Sequence, residues 1–198
     1  MKQGIMAILL ATLVVPGAAS AQVPPRTRGT IVAITGNTVE IQPRRGDKIA
    51  VHLEDKTPVV GVAHAQLSDV KPGWFIGTTT VPQPDGTLKA LEIHVFPESM
   101  RGVGEGHYDW DLGDTSAMTN GSVGTFTGSS GRMMTVNYKG GDKTVVVPED
   151  VAVVELHPGD RALMKVGAHA LIIGPKAADG SVSALGFYVG ENGIVPPM

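Results

Sequence analysis

Apolar and polar residues alternate along most of the chain after residue 28, in short segments separated by Gly, Pro, Asn and Asp. Alternation with a period of two puts the apolar side chains on one face of an extended segment, which is typical of β-strands. The first half contains six such segments, at 30–35, 38–42, 48–53, 59–62, 75–81 and 88–95. The second half contains six more, at 123–127, 133–138, 143–147, 151–155, 168–174 and 181–189. Because no window after residue 21 has the spacing of an amphipathic helix, an all-β fold is predicted.

The two halves repeat one another in four blocks, which occur in one order and at a nearly constant offset of 92 to 95 residues. The paired blocks are 29–36 with 121–128, 46–48 with 141–143, 71–73 with 165–167, and 85–91 with 179–185. A unit of roughly 70 residues with several short strands is typical of a small closed barrel or a sandwich, and closure would leave no long exposed strand edge. The sequence therefore predicts two tandem units of this kind, 29–97 and 121–191. They are flanked and joined by a lead at 22–28, a linker at 98–120 and a C-terminal tail at 192–198.

Glycine and apolar residues of the first copy occur in the order L-x-x-V-K-x-G at 67–73 and D-G-x-L-x-A-x-x-I at 85–93. This order resembles a family of bacterial exported domains of unknown function that fold as an OB-like β-barrel, and the resemblance extends over both copies. The second copy departs from the pattern at Val166, where the first has Pro72. The resemblance implies two OB-like barrels and a binding or structural role in the cell envelope. It implies no activity, because function depends on sites rather than on folds.

The first 21 residues have the features of a secretory signal peptide. Lys2 provides the positive start, an apolar run follows at 5–15, and Ala19-Ser20-Ala21 matches the small-x-small cleavage pattern. The run is shorter than the roughly 20 apolar residues that cross a bilayer, so cleavage is favoured over retention as an anchor. The mature chain is expected to begin near Gln22, to have no stable membrane span, and to be periplasmic or secreted.

Charge and cysteine content narrow the range of functions. The chain has a formal net charge of −3 and no cysteine. The negative balance argues against nucleic acid as a partner. The lack of cysteine excludes disulfides, thiolate catalysis and thiolate metal ligands. No catalytic signature is found: the glycines at 102–106 lack the spacing of a dinucleotide loop, and Ser129 and Ser130 lie in a predicted hairpin turn rather than a nucleophile elbow.

The linker is the one segment that the repeat does not explain, and it is both acidic and aromatic. Its aromatic residues, Tyr108 and Trp110, argue against disorder and are expected to anchor the linker between the barrels. Its candidate ligand-binding or metal-binding residues are Glu105, His107, Asp109, Asp111 and Asp114. In an extended chain, His107, Asp109 and Asp111 would lie on one face, where carboxylates and an imidazole could hold Ca²⁺, Mn²⁺ or Zn²⁺. The simpler interpretation is that the acids face water.

Three functions follow from these observations, in order of preference. The first is an exported, non-enzymatic binding or structural module of the bacterial cell envelope. Its partner would be an unidentified envelope component or a small ligand, and it would need no cofactor. The second is a periplasmic protein that binds a divalent cation through the linker His and Asp residues. An enzyme, for example a hydrolase acting through Asp109 or Asp111, ranks last because no acid–base pair has a defined separation.

Overall fold

The structure, a computed structural model, describes residues 24–127 and 132–198. The predicted signal peptide, 1–21, and the predicted hairpin turn around Ser129 and Ser130 lie outside this range. Six strands lie in the first part of the chain: β1 (Arg26–Thr35), β2 (Thr38–Pro43), β3 (Ile49–His52), β4 (Val59–His64), β5 (Phe75–Pro82) and β6 (Leu88–Val95). Eight follow: β7 (Gly106–Asp109), β8 (Ala117–Thr127), β9 (Met133–Tyr138), β10 (Gly141–Val146), β11 (Ala152–Gly159), β12 (His169–Ile173), β13 (Val182–Ser183) and β14 (Gly186–Gly190).

The helical content of these residues consists of one-turn 3-10 helices, at Leu67–Asp69, Glu98–Met100 and Arg161–Leu163. The all-β prediction is therefore confirmed. No helix in the described part of the chain is long and apolar enough to cross a membrane.

A closed five-stranded barrel, here called barrel A, is formed by β5, β6, β8, β9 and β10. Neighbouring strands are antiparallel except where β10 pairs with β6 in parallel, through Val145 and Leu88, and so closes the ring. The side chains that alternate inward, among them Ile76, Ile93 and Val136, fill the barrel with an apolar core.

A second group of strands, here called barrel B, consists of β1, β2, β3 and β12 to β14, and its ladders run in the order β14, β12, β1, β2, β3, β13. β1 is antiparallel to β2 and to β12, β12 is antiparallel to β14, and β3 pairs in parallel with β13. Its core contains Ile31, Ile41 and Phe187, all fully buried. Two strands, β13 and β14, replace the single strand predicted at 181–189, because the strand pairing is interrupted at Ala184 and Leu185.

Each barrel combines strands from both halves of the chain, which differs from the prediction of one barrel in 29–97 and another in 121–191. Barrel A takes β5 and β6 from the first range and β8 to β10 from the second, while barrel B takes the complementary strands. The physical reason is that an alternating pattern determines which face of a strand is buried but not which strand lies beside it. Corresponding strands of two similar copies offer similar edges, so the pattern permits either partner.

The two barrels are joined by β4 and β11, which pair with each other in antiparallel register around Val62 and Leu156. β4 also pairs with β14 of barrel B, and β11 pairs with β6 of barrel A. A third apolar cluster, the inter-barrel core, lies at this junction and includes residues from both barrels. Its buried members are Val60, Val62, Phe75, Phe96, Met118, Val154, Leu156, Leu171, Ile194 and Met198.

The predicted lead, linker and C-terminal tail all contribute strands or buried residues to the fold. β1 begins at Arg26, inside the predicted lead, and β8 begins at Ala117, inside the predicted linker. The linker also contributes β7, which pairs with β8. Ile194 and Met198 of the C-terminal tail are buried in the inter-barrel core, so the tail is part of the fold.

Candidate functional site

A cavity of about 180 Å³ lies in the inter-barrel core, under the linker and the C-terminal residue. Its walls come from β1, β6, β7, β8, β11, β12 and β14, so both barrels contribute to it. The lining is mostly apolar and aromatic: Pro24, Phe96, Val103, Gly104, Tyr108, Trp110, Met118, Leu156, Leu171, Ile173, Tyr188 and Met198. Polar contributions come from Arg26, His94 and Asn120. An apolar pocket with a few converging polar groups is the usual form of a small-molecule site.

Arg26 brings a charged group to the cavity from the first strand. Its side chain is only 7% exposed, and its guanidinium carbon lies 3.3 Å from the centroid of the Trp110 ring, in a cation–π arrangement. Nη1 lies 3.5 Å from an oxygen of Asp111, whereas Nε and Nη2 have no hydrogen-bond partner among the described residues. Burial lowers the pKa of Arg26, against the opposing charge of Asp111, but an arginine stays protonated in proteins.

Two further buried polar atoms at the cavity have no partner: the indole Nε1 of Trp110 and Oδ1 of Asn120. Together with Nε and Nη2 of Arg26, they are all the buried side-chain nitrogen and oxygen atoms without a partner in the part of the chain that the structure describes. Buried polar groups in folded proteins are nearly always hydrogen-bonded, and an unpaired group calls for an explanation. Here all four atoms belong to residues that line one cavity.

A buried carboxylate–imidazole pair lies on the barrel A side of the cavity. Glu92 of β6 is fully buried, and its Oε1 accepts hydrogen bonds from the backbone N and the Oγ1 of Thr79, at 2.8 and 2.7 Å. Its Oε2 lies 3.0 Å from Nδ1 of His94, whose side chain is 5% exposed. The pair arises because residues 92 and 94 alternate along β6 and share one face. Glu92 therefore fixes the orientation of the His94 ring.

Asn120 of β8 faces His94 across the intervening strand β5. Its Nδ2 donates to the carbonyls of Val103 and Gly104 and to Oη of Tyr108, at 3.2 to 3.3 Å, so Oδ1 is the atom left free. The residue between them on β5 is Gly77, which pairs with both. A Cβ at Gly77 would overlap Nε2 of His94 and Oδ1 of Asn120. The absence of a side chain here is what lets these two polar atoms approach each other. We call this place the Gly77 notch.

The residues predicted as ligand or metal candidates do not converge. Asp111 accepts two hydrogen bonds from Arg28, at 2.7 and 2.8 Å. His107 pairs through Nδ1 with Oγ1 of Thr119, at 2.9 Å. Glu105 accepts a hydrogen bond from a backbone N–H, that of Lys139, while Asp109 and Asp114 are exposed. Within 24–127 and 132–198, no group of three or more His, Cys, Asp or Glu residues is placed to hold a metal ion.

The charges around the linker follow from these contacts. Burial acts to raise the pKa of Asp111, but the hydrogen bond from Arg28 and the charges of Arg28 and Arg26 outweigh it, so the pKa is lowered. Burial and the charge of Lys143 lower the pKa of His107, and Asp109 partly opposes them. Asp111 is therefore ionised, and its ion pairs with Arg26 and Arg28 attach the linker to β1.

The aromatic linker residues contribute directly to the cavity. Tyr108 and Trp110 are half-buried, pack on the inter-barrel core and lie 6.0 Å apart between ring centroids. Burial raises the pKa of Tyr108, so its hydroxyl stays protonated at neutral pH. The backbone N of Trp110 donates to the carbonyl of Ser116, which closes the loop after β7.

Four residues that shape the cavity were not identified from the sequence: Arg26, Glu92, His94 and Asn120. A signal existed for two of them, because Glu92 and His94 are polar residues within the otherwise apolar run 90–96 on one strand. Arg26 and Asn120 lie in the predicted lead and at the end of the predicted linker, where polar residues are ordinary.

A larger groove of about 660 Å³ lies along β1 and β2, next to Arg28 and Arg44. None of the unpartnered buried polar atoms belongs to its lining. The inter-barrel cavity is therefore the stronger candidate for a functional site. No protein-family model, curated protein or solved structure matches the chain.

Proposed function

We propose that the chain is an exported, non-enzymatic binding module of the bacterial cell envelope and that its inter-barrel cavity binds a small organic carboxylate. One observation carries the proposal: all the unpartnered buried side-chain polar atoms of the described residues belong to residues that line this cavity. A ligand that supplied their missing hydrogen bonds would recover the free energy that unpaired buried groups otherwise lose.

The carboxylate follows from the geometry of Arg26. Nε and Nη2 form one edge of the guanidinium, and two parallel N–H donors on that edge match the two oxygens of a carboxylate. The remaining edge is engaged by Asp111, through Nη1, and the flat face is stacked on Trp110. Nε1 of Trp110 adds a third donor to the same end of the cavity. A neutral amide would match this donor set poorly, because its NH₂ group donates as well.

The body of the ligand follows from the volume and the lining. An apolar cavity of about 150 Å³ is large enough to hold benzene, and this one is about 180 Å³. Aromatic walls from Phe96, Tyr108 and Tyr188 suit a flat ring or a short aliphatic chain. Benzoate and hexanoate are therefore suitable probes of the chemical class.

We also propose that the two halves of the chain are tandem copies of one OB-like unit that have diverged at the cavity. The offset of 94 residues pairs Ile93 with Phe187, and both are core residues. The same offset pairs the polar residues Glu92 and His94 with Gly186 and Tyr188. Divergence at the cavity walls, with apolar character kept in the barrels, is the pattern expected of a site that appeared after duplication.

The test measures binding to the purified protein by calorimetry and by the fluorescence of Trp110. The second tryptophan, Trp74, is 38% exposed and can be replaced by Phe so that Trp110 is the single emitter. We expect benzoate and hexanoate to bind with a Kd between about 10 µM and 1 mM, as ligands of nine or fewer heavy atoms usually do. Benzamide should bind at least about tenfold more weakly, because it cannot accept both N–H groups of the fork.

Arginine variants locate the site. Arg26→Met should remove detectable binding of benzoate, while Arg101→Met should leave it unchanged, because Arg101 is exposed and does not line the cavity. Equal binding of benzoate and benzamide, or unchanged binding by Arg26→Met, would overturn the proposal.

A further inference from the structure

The Gly77 notch adds a second pair of polar atoms to the cavity, on residues other than Arg26. We propose that the ligand carries a hydroxyl group in addition to its carboxylate and that Nε2 of His94 and Oδ1 of Asn120 bind this hydroxyl. The inference rests on the proposed function, since it assigns a second polar group of the same ligand. It makes the ligand a small hydroxycarboxylate.

Nε2 of His94 and Oδ1 of Asn120 lie close to one point, since a Cβ on Gly77 would overlap both atoms. They make no direct hydrogen bond with each other. Both side chains are buried, at 4% and 5% exposure for the whole residues, and both line the cavity. A single ligand atom could therefore contact both.

The side chains of His94 and Asn120 are both held in place by the protein. His94 is held by the bond from Nδ1 to Glu92, which is in turn held by Thr79. Asn120 is held by three bonds from Nδ2 to Val103, Gly104 and Tyr108. In each side chain, one polar atom is bonded to the protein and the other lies at the notch. Such a division between supporting contacts and a free polar atom is what a preorganised binding site requires.

The chemical group follows from what these two atoms can bind. Oδ1 of Asn120 can only accept a hydrogen bond, and it has no partner. Nδ1 of His94 already faces Oε2 of Glu92, so Nε2 is the ring nitrogen that is left for a ligand. A hydroxyl has a donor and acceptor lone pairs on one oxygen atom, so it can donate to Oδ1 and accept from an N–H at Nε2.

Two other groups fit less well. A ligand ammonium carries a full charge, and its burial costs more than the burial of a hydroxyl. An ether or a carbonyl oxygen accepts only, and it would leave Oδ1 of Asn120 unpaired. The notch therefore discriminates among small carboxylates by their second polar group.

The experiment compares matched ligands on the wild-type protein by calorimetry: benzoate, 3-hydroxybenzoate, 4-hydroxybenzoate and 4-(aminomethyl)benzoate, together with hexanoate and 6-hydroxyhexanoate. We expect at least one hydroxylated ligand to bind about tenfold or more tightly than its parent, since its hydroxyl supplies a partner for the unpaired Oδ1 of Asn120 and a contact for Nε2 of His94. The aminomethyl ligand should bind no more tightly than benzoate. Hydroxylated ligands that all bind like their parents would overturn the inference and leave the carboxylate site standing. If no carboxylate binds at all, the proposed function itself fails.

Variants then test whether the notch is responsible. The double change Glu92→Gln with His94→Leu removes the imidazole without leaving a buried charge. We expect the ratio of Kd values between parent and hydroxylated ligand to fall to about one, whatever the change in the affinity for benzoate itself. The matched control is Glu191→Gln with His157→Leu, a half-exposed Glu–His pair outside the cavity, which should keep the full ratio. Retention of the ratio by the first double variant would refute the assignment; should that variant fail to fold, the wild-type ligand comparison decides.

Discussion

Replacing Gly77 with alanine should destabilise the protein far more than the same replacement at Gly61. Both glycines lie on strands in ordinary extended conformation, and at both a Cβ would overlap the end of a histidine side chain and a second polar group. At Gly77 the neighbours are His94 and Asn120, which are buried. At Gly61 they are His157 and Glu191, whose side chains are 39% and 29% exposed.

The expected magnitudes follow from whether the neighbours can move. His157 and Glu191 can turn toward solvent, and an exposed pair of this kind contributes only about 0–1 kcal/mol. At Gly77, His94 and Asn120 are buried and held by hydrogen bonds, so overpacking costs about 1–3 kcal/mol, and each hydrogen bond that the shift breaks costs about 1 kcal/mol more. Either alanine regains about 0.4–1 kcal/mol by restricting the unfolded chain. We therefore expect a loss of about 2–4 kcal/mol for Gly77→Ala and a change within about 1 kcal/mol for Gly61→Ala.

Urea-induced unfolding, followed by tryptophan fluorescence and by circular dichroism, would measure both free energies of unfolding. Coincident transitions from the two probes are needed, because the comparison assumes two-state behaviour. Equal losses for the two variants would show that the polar atoms over Gly77 are as free to move as those over Gly61, and the reasoning about a rigid notch would fail.

Three further predictions concern the linker and the N-terminus. In NMR titrations, Lys143→Gln should raise the pKa of His107 and Asp109→Asn should lower it further. Because the pKa is lowered by folding, His107 should also cost stability as the pH falls below its ordinary value of 6.5, and His107→Gln should flatten that part of the stability profile. Addition of Ca²⁺, Mn²⁺ or Zn²⁺ should leave the melting temperature unchanged, and a clear shift lost in Asp109→Asn with Asp111→Asn would instead favour the metal-binding alternative. Mass spectrometry of the native protein should find a chain beginning near Gln22, and an intact Met1 would contradict export with cleavage.

The strands could be predicted closely from the sequence because burial on one face is a local property. The segments predicted at 88–95 and 133–138 coincide with β6 and β9. Other strands differ by a few residues at their ends, as at β11, which continues from Glu155 to Gly159 because it pairs with β4. Partner choice was not predictable, since it depends on contacts between segments that lie far apart in the sequence.

The site was less predictable for a related reason. The linker was identified as exceptional, and Tyr108 and Trp110 do line the cavity. The decisive feature, however, is that polar atoms of Arg26, Trp110 and Asn120 lack partners, and this is a property of three-dimensional surroundings rather than of residue type. Asp111 is a second residue whose role depends on its three-dimensional surroundings. Its charge suggested a metal, but two arginines from β1 satisfy it.

The exchange of strands between the barrels has a consequence for how the chain acquires its fold. Barrel A needs nothing beyond β10, which ends at Val146, whereas β1 and β3 must wait for β12 and β13, near the other end of the chain. A protein that leaves the ribosome, or a translocation channel, with its N-terminus first would therefore complete barrel A before barrel B. Meanwhile β1 would present an unpaired edge, and pairing between such distant segments is intrinsically slow. Of these strands, β1 is the first to emerge and among the last to gain all its partners. During this interval β1 is therefore the strand most exposed to aggregation and to proteolysis.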